Sequence, residues 1–159
     1  MGLDMYLLKK RKDDKRKVEE IWDEVGYFRK VNAVHKYLVD QAQEGKDDCG
    51  YHKVKKEVLE DLVKRCEEVL NKVVLRDGMV EIGRKYQNGK EEPILSESVI
   101  VINPEVCEEL LPTQDGFFFG GISYNGYYLD DLKDTINICN NILSDTDFTK
   151  EEIYYHSSW

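Results

Sequence analysis

The sequence predicts an α+β fold. One domain covers residues 1–159, with a mostly antiparallel sheet and about three main helices packed on one face. Three observations predict it. Long segments at 30–43, 55–73 and 129–143 repeat apolar residues at helical spacing. Short alternating or β-branched segments stand at both ends of the chain and at 79–83 and 98–102. Strands and helices do not alternate, which argues against a doubly wound parallel sheet. A chain of 159 residues is long enough for one domain with a true core.

The first strand is read in GLDMYLL (2–8), with Leu3, Met5 and Leu7 on one side and Asp4, Tyr6 and Leu8 on the other. Asp4 is expected at a sheet edge or satisfied by backbone N–H groups. KKRKDDKRK (9–17) reads as a solvated charged loop, and 18–28 as an irregular or strand-like segment broken at Gly26. A helix from about Lys30 to Gln43 follows, its stripe formed by Val31, Val34, Leu38 and Ala42, with Gly45 as its stop. KDDCGYHKV (46–54) is a turn entering a short strand. The clearest helix, Lys55 to Val73, places Val58, Leu59, Leu62, Cys66, Val69 and Leu70 at helical spacing.

MVEIG (79–83) and SVIVI (98–102) read as strands of a hairpin with a long excursion. Residues 84–97 form a variable loop that contains the Asn88-Gly89 turn. Asn103 caps a short helix that has Pro104 at its first position. GFFF (116–119) reads as a strand bent at Gly120-Gly121, with Phe118 facing away from Phe117 and Phe119. The third helix begins near Tyr128 or Leu129 and carries Leu132, Ile136, Cys139 and Leu143. EEIYYHSSW (151–159) closes the chain as a strand, a sheet neighbour of the first.

Composition narrows the function classes. Apolar residues make up 41% and charged residues 35%, as in a soluble, highly charged domain. The formal charge of −9 disfavours extended nucleic acid, whose phosphates it repels. No run of 18 apolar residues suggests a membrane span. The apolar-then-basic start is the reverse of a secretory signal, and Tyr6 stands where a myristoylation motif wants Ser or Thr. Cys49, Cys66, Cys107 and Cys139 lack metal-ligand spacing, which points to a reducing cytoplasm and no zinc knuckle.

No catalytic motif stands out, and no cofactor, metal or catalytic residue is assigned. Asp47-Asp48-Cys49-Gly50 lacks the remaining oxygen ligands of a calcium loop and reads as a turn. The binding candidates are Arg29, Lys30, Asn32, His35 and Lys36 at the start of the second element, together with Phe118 and Tyr124 of the aromatic segment. Arg29, Asn32 and Lys36 fall at i, i+3, i+7, and a helix start favours anions. Phe117–Phe119 and the tyrosines after them form core, a stacking wall or a protomer interface.

Several stretches resemble a family of small, uncharacterised phage- and prophage-encoded proteins. They are MGLDMYL (1–7), FRKVNAVHKYLVD (28–40), DDCGYHKV (47–54), ELLPTQDGFFFGG (109–121), YYLDDLKDTI (127–136) and EIYYHSSW (152–159), with 75–100 as the variable middle. The chain departs from the family pattern at Cys49-Gly50-Tyr51 and at Tyr124-Asn125-Gly126, where relatives tend to carry an extra acidic or aromatic residue. No binding residue is carried over. The resemblance implies a protein acting in the bacterial cytoplasm.

The leading expectation is a non-enzymatic binding protein that holds a small anionic ligand, such as a nucleotide defence signal of the host that it sequesters. The rivals are an acidic inhibitor or adaptor of a host protein, and a nucleotide-directed enzyme with His35 or Asp48 as acid/base. A homo-oligomer is expected if Phe118 or Trp159 is exposed.

Overall fold

The computed structural model describes residues 2–159. Its main sheet has four antiparallel strands in the order β2-β1-β6-β3: β1 Asp4–Arg11, β2 Glu24–Arg29, β3 Tyr51–Val54 and β6 Glu151–Ser158. The two end strands of the chain pair at its centre, Leu7 opposite Tyr155 and Lys9 opposite Ile153. The alternation of β1 explains the layering. Leu3, Met5 and Leu7 face inward with Phe28, Ile153 and Tyr155, and all join one core.

Three long helices cover that inner face: α2 Asn32–Ala42, α3 Lys56–Lys72 and α5 Gly126–Asp145. The stripe of α3 is buried as its spacing predicts, through Leu59, Leu62, Cys66 and Val69. On α5 the stripe is turned by one residue, so Thr135 and Ile142 are buried where Ile136 and Leu143 were expected. The Thr135 hydroxyl is accommodated by donating to the Asp131 carbonyl at 2.7 Å, one turn back. Cys66, Cys107 and Cys139 are free and buried.

Several expectations are corrected. Residues 9–17 are not all loop. β1 continues through Arg11, because Lys9, Lys10 and Arg11 keep their pairing with β6. Residues 18–28 divide into a short helix, α1 Val18–Ile21, and β2, with Gly26 inside the strand. A side chain at Gly26 would strike Ile138 on α5. Asp4 lies on a central strand, and its partners are the Tyr27 hydroxyl and Arg29, not backbone N–H groups.

Residues 84–97 are not a loop. Strands β4 Leu75–Gln87 and β5 Lys90–Val101 pair along their whole length around Asn88-Gly89, the two-residue turn. Asn103 does not cap α4 (Glu105–Leu110). Its side chain accepts from the Val74 N–H at 2.7 Å and donates to the Lys72 carbonyl at 2.9 Å, which joins the end of α3 to β4. Residues 116–119 form a turn and not a strand. The Phe119 N–H donates to the Gly116 carbonyl at 3.2 Å, and Phe118 takes a left-handed φ of 58°. Asn125 caps α5, accepting from the N–H groups of Tyr127 and Tyr128, so the helix starts at Gly126.

Candidate functional site

The start of α2, the 112–125 segment and the start of α5 meet around one pocket of about 240 Å³. Its wall includes Lys30, Asn32, Thr113, Ser123, Asn125, Tyr127 and Asp131, with Glu81 and Ile82 of β4 at its side. Residues 30–33 and parts of 121–128, far apart in sequence, therefore share a concavity, which Arg29, His35, Lys36 and the three phenylalanines do not line. A shallower groove continues from it past Asp131 to Tyr27 and Arg29.

Lys30 is placed by strain and close packing. Its φ is 57°, a left-handed conformation that costs a non-glycine residue on the order of 1–2 kcal/mol. It is held there by its own N–H, which donates to the Leu3 carbonyl at 2.8 Å. Gly120 passes so near that a Cβ there would sit 3.1 Å from the Cβ of Lys30, and its φ of 94° also calls for glycine. Lys30 forms no ion pair among the described residues, and no side chain caps the N–H groups that begin α2 beside it. Cation and helix start together favour an anionic group.

Asn32 holds the pocket's outer wall. It is 3% exposed, and its Nδ2 donates to the carbonyls of Phe119 and Gly121 at 3.1 and 2.9 Å while its Oδ1 accepts from the Gln114 N–H at 3.0 Å. Asp131, half-buried on α5, lines the same pocket, and its carboxylate forms no ion pair or hydrogen bond among the described residues. Burial, with smaller contributions from Asp134 and Asp130, pushes its carboxyl up to about 6.

The other candidates fall elsewhere. Arg29 is tied to Asp4 at 2.7 Å and lines only the shallow groove. Lys36 pairs with Asp40 on an exposed helix face. Tyr124 is structural: its hydroxyl accepts from the Thr113 N–H at 3.2 Å and its carbonyl from the Val101 N–H at 3.1 Å. Phe118 points outward against Phe117, with ring centres 4.3 Å apart, while Phe119 is buried. Phe118 therefore does not face away from Phe117, as strand alternation predicted: a turn sets these two rings together outside and Phe119 alone inside.

His35 is fully buried in a chain of polar groups. Its Nε2 lies 2.7 Å from Asp47 Oδ2 and its Nδ1 2.6 Å from the Tyr155 hydroxyl. The carboxylate can only accept, so Nε2 carries a proton, and a neutral ring then accepts the Tyr155 proton at Nδ1. Burial, then the charge of Asp47, holds the Tyr155 hydroxyl well above its ordinary range, so it remains a donor. Trp159 donates to Asp47 Oδ1 at 3.1 Å, and Phe119 sets its edge on the His35 ring. Every member has a partner inside the fold, and none lines the pocket. Asp48 accepts from the Gly50 N–H and meets His52 at 2.7 Å. Neither His35 nor Asp48 is thus placed to act as acid or base on a ligand in the pocket.

Of the residues singled out in the sequence, Lys30 and Asn32 line this pocket, which Asp131, not singled out, lines too. The signal for Asp131 was available: it adjoins Leu132, a stripe residue, so it had to lie at the margin of a buried face. A second cluster was also missed. On the outer face of the sheet His156 stacks on Tyr51, centres 4.1 Å apart, next to Tyr6, and Trp22 closes over all three. These rings satisfy one another and leave no concavity of their own.

Among the described residues no helix is long and apolar enough to cross a membrane. Compared with known proteins, the chain matches no family model, no curated protein and no solved structure.

Proposed function

We propose that the protein is a small-molecule binding protein whose ligand is a nucleotide with an amino-bearing base. One observation supports this reading: Lys30 and Asp131, both without an ion-pair partner among the described residues, line the same pocket. An anionic group set against Lys30 and the start of α2 has its charge matched. An amino edge set against Asp131 finds an acceptor, as adenine, guanine and cytosine each supply a donor that uracil lacks at that position. Tyr127, half-exposed at the wall, offers a ring face for stacking. The volume is slightly under the roughly 300 Å³ of the smaller drug-sized sites, which suits a nucleoside-sized portion with the rest in the adjoining groove. Made by a phage in a bacterial cytoplasm, such a protein would withdraw a nucleotide signal from its host.

Titration calorimetry with the 5′-monophosphates of adenosine, guanosine, cytidine and uridine, and with inorganic phosphate, tests it. At least one amino-bearing nucleotide binds more tightly than uridine monophosphate. Lys30→Ala weakens all of them about tenfold or more, the worth of one charge-assisted contact. Asp131→Asn alters the discrimination against uridine. Equal heats near zero across the panel would reject the reading.

A further inference from the structure

The β4–β5 ribbon is unlike the rest of the molecule. It contributes six of the fifteen large apolar side chains exposed among the described residues: Leu75, Met79, Ile82, Tyr86, Ile94 and Leu95. Register places Leu75, Met79 and Leu95 on one face, since Leu75 opposes Val101, Met79 opposes Glu97 and Glu81 opposes Leu95. A two-stranded ribbon is marginal in water unless something packs on it. From these features we infer that the ribbon joins two copies of this chain, the ribbons lying antiparallel with each tip on the other's root.

Charge selects the partner. Residues 75–101 hold four basic and five acidic residues, net −1, while the remainder of the chain is −8. Two copies therefore meet with least repulsion at the ribbon. Charge also selects the orientation. The tip, 84–92, is net +1 through Arg84, Lys85 and Lys90 against Glu91 and Glu92, and the two root segments together are net −2 through Asp77, Glu81 and Glu97 against Arg76. An antiparallel two-fold arrangement sets each positive tip on a negative root, as an isologous interface requires. Strands of 13 and 12 residues put about half of their side chains on the face of Leu75, Met79 and Leu95, fewer than the roughly 20–30 residues that each side of a standard stable interface contributes, so the dimer is one that dissociates on dilution. Phe117 and Phe118, the other exposed apolar tip, cover one another and offer no comparable length.

Sedimentation velocity on the full chain at concentrations up to about 100 µM tests the inference. The native protein sediments at twice the chain mass, and Met79→Lys with Leu95→Lys sediments at the single chain mass with an unchanged circular dichroism spectrum. A native protein that stays at the single chain mass overturns it, as does a folded variant that stays at twice that mass. Should the variant not fold, hydrogen exchange of the native chain decides. Amides of 75–101 that lose protection on dilution support the inference, and protection independent of concentration overturns it.

Discussion

Two polar regions lie on either side of the 112–125 segment, and they differ in one respect. In the chain Asp47–His35–Tyr155 each donor meets an acceptor inside the fold, down to the Trp159 indole on Asp47. In the pocket, the side chains of Lys30 and Asp131 form no ion pair among the described residues. Polar groups that satisfy one another in a buried place specify the fold; a partly buried polar group left open at a cavity wall costs stability. The same distinction separates His35 from Lys30, which stand five residues apart and which the sequence alone treats as one cluster.

The largest test of this contrast is His35→Ala. It leaves Tyr155 and Asp47 each short of a partner and opens a void beside Phe119, so the loss is about 3–5 kcal/mol, or a fall of roughly 10 °C in Tm for a chain of this size. Urea denaturation with a constant m-value reads it directly. A loss under about 1 kcal/mol would place His35 with the open residues and erase the distinction.

Asn32→Ala comes next. Three hydrogen bonds to the 114–121 segment disappear, and buried carbonyls are left unmet, so about 2–3 kcal/mol is lost. Amide exchange in 114–121 accelerates more than in the sheet. Uniform acceleration would show that Asn32 supports the core in general and not the pocket wall.

These two residues also mark how far the sequence could be read. Helices α3 and α5 were legible because each buries one face and so shows a 3.6-residue period, and α2 because its apolar residues recur at that spacing although its first two turns are buried nearly all round. The end strands were legible as neighbours in the sheet, but β1's extension through Lys9–Arg11 was hidden, since those side chains are charged and only their pairing with β6 makes them strand. The ribbon arms failed for a related reason: around Arg84-Lys85 and Glu91-Glu92 neither face is buried, so no alternation appears. Phe118 misled because a bulky residue in left-handed backbone runs against local preference, and only its surroundings impose it. At the site, Lys30 was visible as a cation near a helix start. That Asp131 of α5 lines the same pocket as Lys30 is a matter of tertiary packing, which no local pattern encodes.

Asp131→Asn goes the opposite way in stability. The unfolded carboxyl titrates near 4 and the folded one at about 6, so below about pH 4 both states hold the proton and the group costs nothing. Between about pH 4 and 6 the unfolded chain releases its proton first, and stability falls as pH rises; above about 6 the cost is complete. The full shift corresponds to about 3 kcal/mol, which solvent access to a half-buried group reduces to about 1–2. Asp131→Asn is therefore more stable than native at pH 7.5 by that amount and equal to it below about pH 4. Equal stability at both values would mean that Asp131 has a partner in solution, and the pocket would no longer differ from the His35 chain in kind.

The smallest effect belongs to Lys36, which shares α2 with His35 and lies six residues from Lys30 yet has neither role. Its ammonium meets Asp40 at 2.7 Å across one exposed turn, with side chains 37% and 47% accessible. Such a pair is worth about 0.3–0.5 kcal/mol, and salt near 1 M, with a screening length of about 3 Å, removes most of it. A double-mutant cycle of Lys36→Ala with Asp40→Ala reads that coupling, and Lys36→Ala leaves nucleotide affinity unchanged. A loss of affinity comparable to that of Lys30→Ala would extend the ligand's reach to the outer face of α2. Binding would then depend on the helix's whole basic row, and the separation between open and satisfied charges would not mark the site.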